Sequence, residues 1–265
     1  MMAIRRPLAS SSHLFSTIRH SSSHPSSSLP AFSPYGSTSA ETEVPYGEPT
    51  LASSAYLPPR SAPTAAESNR ATTEEPKLTA KQRDIIEKII RVDQAGELGA
   101  NWIYAGQHAV FGKGGDKKLA DLLQEMWDGE KKHIAVFDKL VTQHSVRPTL
   151  LYPVWKAAGF ALGVGTALMG KRAAMACTEA VETAIGEHYD SQLRDLSNPA
   201  NFPPGEATHP SIGLLKEIVA EFRDDELGHL NTAIQNESQL APAHALLSAV
   251  IGLGCKVAII TTEKV

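Results

Sequence analysis

Four glutamates and two histidines recur in this sequence at spacings that suit metal ligation. Glu130 and His133 stand three residues apart in EKKH, and Glu226 and His229 do so in ELGH. Residues i and i+3 of a helix share one face within a turn, so each pair has the reach to grasp one ion. Glu97 and Glu182 stand singly, in GELGA and VETA. The order is therefore Glu, Glu-x-x-His, Glu, Glu-x-x-His, an internal duplication of a helix pair. Four carboxylates and two imidazoles projecting into a four-helix bundle are the ligand set of a two-metal site. On this reading Glu97 is terminal on one ion with His133, Glu182 on the other with His229, and Glu130 and Glu226 bridge. Four carboxylates balance two divalent ions, and oxygen-rich ligation with imidazole suits iron or manganese better than zinc.

The company these residues keep separates them from surface charge. Leu119, Leu123, Met126, Glu130, His133, Phe137 and Leu140 advance by alternating steps of four and three, the seam of a helix facing a core. Leu215, Val219, Phe222, Glu226, His229 and Ala233 do the same. Two further seams carry one ligand each: Ile86, Ile90, Asp93, Glu97, Ala100, Tyr104, and Met175, Glu179, Glu182, Gly186, Tyr189, Leu193. Both place a tyrosine seven residues after the glutamate. Unpaired charge on such seams is very costly, so a ligand role accounts for it better than chance does. Glu206 and His209 also match Glu-x-x-His, but they fall in a Pro/Gly-rich loop and receive no role. Asp93 and Asp225 are positioned to accept the second N–H of a ligating histidine, the alternative being an ordinary surface aspartate.

The elements that must position these residues are helical throughout. Turn signals at FGKGGDKK, NPANFPPGEATHP, Arg147-Pro148 and Ala241-Pro242 leave long helices near 79–110, 116–144, 172–197 and 211–237. Two shorter apolar helices fall near 153–170 and 242–261, and TAKQ at Thr79 reads as a capping box. The expected fold is all-α, with folding confined to 79–265. Residues 1–40, with three Arg, thirteen Ser and no acid, have the composition of a mitochondrial transit peptide. Residues 41–78 are Pro-, Ser-, Thr- and Glu-rich and read as a disordered linker. The remainder holds 19 basic and 23 acidic residues, which argues against nucleic acid as a partner. Two cysteines without a CxxC exclude a disulfide framework and a thiolate zinc site.

The uncharged stretch AAGFALGVGTALMG, flanked by Trp155, Lys156, Lys171 and Arg172, is too short to span a bilayer. It suits interfacial insertion, or else a buried helix whose small residues admit close neighbours. LLSAVIGLGCKVAII invites the same two readings, and neither short helix is expected to cross a membrane. No nicotinamide fingerprint occurs.

Taken in order, VDQAGELGA, EKKH, AVETAIGEHY and RDDELGH resemble the 5-demethoxyubiquinone hydroxylase family of ubiquinone biosynthesis, over residues 79–265. The resemblance implies a ferritin-like bundle of six helices and a di-iron monooxygenase that hydroxylates the quinone ring with O2 and electrons from NADH. It implies peripheral attachment to the matrix face of the mitochondrial inner membrane, a lipid-binding accessory protein as partner, and a quinone pocket near His188 and Tyr189. Packing alone for Tyr189 and solvent exposure for His188 are the plain alternatives. A di-iron quinol oxidase, or a non-catalytic ferritin-like protein that binds metal or quinone, shares the same ligand grammar.

Overall fold

The structure, a computed structural model, describes residues 77–203 and 209–265. The transit-peptide expectation for 1–40 and nearly all of the linker expectation for 41–78 fall outside them. So does Glu206. Among the described residues there is no strand, and the chain is a set of helices.

Helix α1 (Ala80–Phe111) opens on the expected capping box: Thr79 Oγ1 accepts from the Gln82 amide at 3.2 Å, and Gln82 Oε1 accepts from the Thr79 amide at 3.0 Å. Helix α2 (Lys117–Gln143) is N-capped by Asp116, whose Oδ1 accepts from the Leu119 amide. A short loop leads to α3 (Tyr152–Leu168), and Gly170, at φ +106°, turns the chain into α4 (Lys171–Leu196). Helix α5 (Pro210–Gln235) begins with proline in its first turn and with His209 Nδ1 accepting from the Ser211 amide. That capping is what His209 of the unassigned Glu206–His209 match does. A 3-10 turn (Ser238–Leu240) precedes α6 (His244–Thr262).

The long helices pair as α1 with α2 and α4 with α5, and the two pairs meet around a shared interior. The α2 and α5 seams are buried at every position named from the sequence. The α1 seam is likewise buried throughout. On α4 the exceptions are Leu193, which is partly buried against the core, and Glu179, which sits at the flank and meets His244 Nε2 of α6 at 3.0 Å. An apolar cluster of Ile86, Ile90, Phe137, Leu140, Leu215, Val219 and Phe222 fills one end of the bundle, and Leu123, Met126 and Met175 fill the other. The polar residues lie between.

The two shorter helices lie outside this core, α3 chiefly on α1 and α6 chiefly on α4. Helix α3 is packed on one face and exposed on the other. Its inner face is glycine: a Cβ at Gly159 would stand 2.7 Å from the Gly99 carbonyl, and one at Gly163 would collide with the Ile103 carbonyl. Its outer face exposes Val154, Phe160 and Leu168. Helix α6 buries only Ile251 and Thr262 and turns Leu246, Val250, Leu253, Val257 and Ile260 outward. The expectation that neither short helix has the length to cross a bilayer is corrected for α6, whose 19 residues are long and apolar enough by length and composition. The helix runs beyond both ends of LLSAVIGLGCKVAII, taking in His244 and Ala245 before it and Thr261 and Thr262 after it.

Candidate metal centre

The six residues singled out by spacing converge in the middle of the bundle, all buried to within 1% of full exclusion from solvent. All six stand on the seams of α1, α2, α4 and α5, so amphipathic periodicity aims them inward. They form two overlapping groups, Glu97, Glu130, His133, Glu226 and Glu130, Glu182, Glu226, His229, with one donor atom from each residue within 4.8 Å of the others. Glu130 and Glu226 belong to both. Both imidazoles present Nδ1 to the centre. His133 Nδ1 lies 3.0 Å from Glu226 Oε1 and 3.4 Å from Glu97 Oε2, and His229 Nδ1 lies 3.1 Å from Glu130 Oε1 and 3.0 Å from Glu226 Oε2.

Electrostatics without a cation are unfavourable. Burial, with Glu226 beside it, pushes the Glu130 carboxyl up to about 8, and burial with the same neighbours raises Glu182 well above the ordinary range. Burial opposes ionisation of Glu226 too, but the His133 and His229 imidazoles beside it outweigh burial and hold that carboxyl low. Burial likewise disfavours the two imidazolium forms, and the carboxylates nevertheless raise both histidines well above their usual value. Both oxygens of Glu130, Oε2 of Glu97 and Glu182, Oε1 of Glu226 and Nδ1 of His133 make no hydrogen bond. Buried acceptors left in this way are expensive, and pairs of them facing one point are what two cations would satisfy. The residues present fit a two-metal carboxylate centre.

Around the six, the flanking residues divide. Asp225 Oδ2 lies 3.0 Å from His133 Nε2, and the same carboxylate is 3.4 Å from Lys132 Nζ, which also reaches Glu221 at 3.2 Å. The His133 ring stacks on Phe222 at 4.0 Å, so its orientation is fixed on a face as well as an edge. Asp93 is occupied elsewhere: Oδ1 accepts from Gln192 Nε2 at 2.6 Å and lies 4.0 Å from His188 Nε2. Gln192 in turn meets His188 Nε2 at 2.9 Å, and burial pushes the His188 imidazole down to about 4, keeping it neutral. Tyr189 is wholly buried and donates to Glu97 Oε1.

Sequence reasoning assigned nothing to Tyr104, which donates to Glu182 Oε1 at 2.8 Å. The signal was present as a tyrosine seven residues after each single glutamate, but the partner is the glutamate of the opposite helix. Tyr104 of α1 serves Glu182 of α4, and Tyr189 of α4 serves Glu97 of α1. Burial and the surrounding carboxylates raise both phenols well above their usual value, so both remain donors.

Beside the centre, α1, α3, α4 and α6 line an apolar cavity of about 430 Å3 that is open to solvent on one side. Its walls include Val92, Gly96 and Gly99 of α1, Trp155 and Leu162 of α3, Val181 and Ile185 of α4, and Val250 and Cys255 of α6. Neither His188 nor Tyr189 lines it. The wall residues Gly96 and Val181 immediately precede Glu97 and Glu182, so the cavity runs along the back of the two helices that carry the single glutamates.

Fold and site together define an all-helical carboxylate bundle, with a buried four-glutamate, two-histidine cluster and an apolar cavity alongside it. The family described as "Ubiquinone biosynthesis protein COQ7" matches residues 84–262, and the chain belongs to that family. Its curated relatives are similar over most of their length. A Bos taurus protein named NADPH-dependent 3-demethoxyubiquinone 3-hydroxylase, mitochondrial, is 46% identical over 182 residues, 69% of this chain and 79% of the relative. A Saccharomyces cerevisiae protein named 5-demethoxyubiquinone hydroxylase, mitochondrial, is 46% identical over 191 residues, 71% of this chain and 82% of the relative. A Rhodospirillum rubrum 3-demethoxyubiquinol 3-hydroxylase is 45% identical over 181 residues, 68% and 79% of the two chains. By this membership the chain is an enzyme of the hydroxylase type.

Proposed function

We propose that this chain hydroxylates the ring of demethoxyubiquinone, using O2 and two iron ions held by Glu97, Glu130, His133, Glu182, Glu226 and His229. The observation that carries the reading is the convergence of those six buried side chains, with unsatisfied donor atoms turned to one another, in a member of a ubiquinone-biosynthesis family. Iron bound there supplies the redox chemistry that activates O2. The protein's own part is positional. Glu130 and Glu226 span the two metal positions, Asp225 holds the His133 ring through Nε2, and Tyr104 and Tyr189 fix the rotamers of Glu182 and Glu97. The apolar cavity receives the quinone, whose ring approaches between α1 and α4, two helices tied by side-chain hydrogen bonds rather than by close backbone packing. His188 and Tyr189 border the same gap on α4. Asp93, bound through Gln192 to His188, steadies that side of the gap.

Electrons come from a reduced nicotinamide. The sequence reading named NADH, whereas the mammalian relatives are named NADPH-dependent. In this reading the reductant is a nicotinamide of either kind, and no residue of this chain is assigned to it. The relatives' names place several of them in mitochondria. We place this chain at the matrix face of the inner membrane, attached through the exposed apolar faces of α3 and α6, with a lipid-binding accessory protein as partner. The deciding experiment is aerobic turnover of the iron-loaded protein with demethoxyquinone and NADH or NADPH, read by mass spectrometry. A ring-hydroxylated product carrying one atom from 18O2 is expected. Water as the only product of O2 makes it an oxidase, and no O2 consumption makes it a carrier.

A further inference from the structure

The glycines of α1 and α3 fall into two kinds. A Cβ at Gly106 would strike the Phe160 carbonyl, and one at Gly159 or Gly163 would strike the backbone of α1. Those three let the two helices approach, and packing explains them. Gly96 and Gly99 are different: a Cβ at either would meet nothing within 4 Å. Close packing does not account for them. In the middle of a 32-residue helix each costs stability relative to alanine, so something other than the fold accounts for their lack of a side chain.

Both line the apolar cavity. Along α1 its wall is Val92, Ala95, Gly96, Gly99, Ala100 and Ile103. The ends of this wall are large, and between them stand only two glycines and the methyl groups of Ala95 and Ala100. The two glycines bracket Glu97 and Leu98, level with the metal centre, and Val181, next to Glu182, lines the cavity from α4. The α1 wall is thus lowest beside Glu97 and higher at Val92 and Ile103.

We propose that Gly96 and Gly99 are specificity-determining residues: their missing side chains open a slot, at the level of Glu97 and Glu182, that admits a flat quinone ring. This rests on the quinone reading of the site given above. The slot takes the ring edge-on, while the apolar walls beyond it, Leu162, Ile185 and Val250, take an isoprenoid tail.

The test uses the full iron-loaded chain with Gly96→Ala, Gly96→Val, Gly99→Ala and, as a control, Gly213→Ala. Gly213 also has open space at its Cβ but sits on the exposed side of α5. The probe is a demethoxyquinone with a two-isoprenoid tail, its binding followed by quenching of tryptophan fluorescence. All four variants should keep the iron content of the parent, and the alanine variants should melt unchanged or about 2–4 °C higher. Gly96→Val should weaken quinone binding about tenfold or more, Gly96→Ala and Gly99→Ala less, and Gly213→Ala not at all. Undiminished binding in folded Gly96→Val overturns the slot while leaving the quinone reading intact. Loss of iron or a lower melting temperature in Gly96→Ala overturns it too, by making the glycine structural. A parent protein that binds no demethoxyquinone sinks the functional reading, and the slot with it.

Discussion

Oδ2 of Asp225 lies 3.0 Å from Nε2 of His133, and Asp225 immediately precedes Glu226, one of the two carboxylates common to both halves of the centre. The residue that precedes the other common carboxylate, Glu130, is Gly129, where a Cβ would stand 3.2 Å from His229 Nε2. The internal duplication therefore supplies a carboxylate at the edge of His133 from a position that, in the other half, has no side chain. A carboxylate behind a ligating imidazole orients the ring and raises its basicity. Asp225→Asn should lower metal affinity about 10–100-fold. In a titration with Co2+ followed by its visible absorption, the weakening should appear in the half that holds His133. Unchanged affinity there would remove Asp225 from the site.

Glu130 is wholly buried, and both of its oxygens lack hydrogen bonds. Glu130→Ala or Glu130→Gln should abolish turnover and leave fewer than two metal ions per chain by elemental analysis. The metal-free Glu130→Gln protein should melt no lower than the metal-free parent, because a neutral amide replaces a carboxyl that burial and Glu226 already keep largely protonated. Glu206→Ala should be silent in both measurements. Full metal content and turnover in Glu130→Ala would sink the ligand assignment.

Acidity gives a prediction with a definite sign. In the metal-free protein Glu130 is raised to about 8 and both histidines are raised, so the folded state holds more protons than the unfolded chain between pH 5 and pH 8. Stability from such groups is complete below the unfolded values and is lost as pH rises through the folded ones. The melting temperature of the metal-free protein should therefore fall from pH 6 to pH 8. Metal requires the deprotonated ligands, so binding should release protons and tighten as pH rises. Calorimetry in buffers of different ionisation enthalpy reads that release directly. None at pH 7 would contradict a protonated, crowded cluster.

The outer faces of α3 and α6 offer Leu168 at 73% and Leu253 at 64% exposure. Leu168→Asp and Leu253→Asp should abolish flotation with liposomes rich in anionic lipid, with melting temperature and metal content unchanged, since neither side chain is in the core. Gly163→Ala, by contrast, should destabilise the fold, because the Ile103 carbonyl already fills the space. Flotation that survives both aspartate substitutions would move the membrane surface elsewhere.

By itself the sequence determined which residues face inward. Alternating steps of three and four state which side of a helix is buried, and Glu97, Glu130, His133, Glu182, Glu226 and His229 stood on those sides among Leu, Ile, Met and Phe. It also located the α1 cap at Thr79 and the turns between helices, which depend on residues a few positions apart. Tertiary structure decided which inward face meets which. Tyr104 and Tyr189 each follow a glutamate by seven residues, a spacing that suggests service to their own helix, yet each bonds the glutamate of the other. Asp93 and Asp225 read alike as partners for a histidine, and only Asp225 touches one of the six, while Asp93 takes Gln192. Glu179 read as a seam residue and turns out to flank the bundle, where α6 brings His244 to it. Periodicity is a property of one helix, whereas these contacts join residues from 65 to 99 positions apart. The register that sets them comes from packing one helix surface into another.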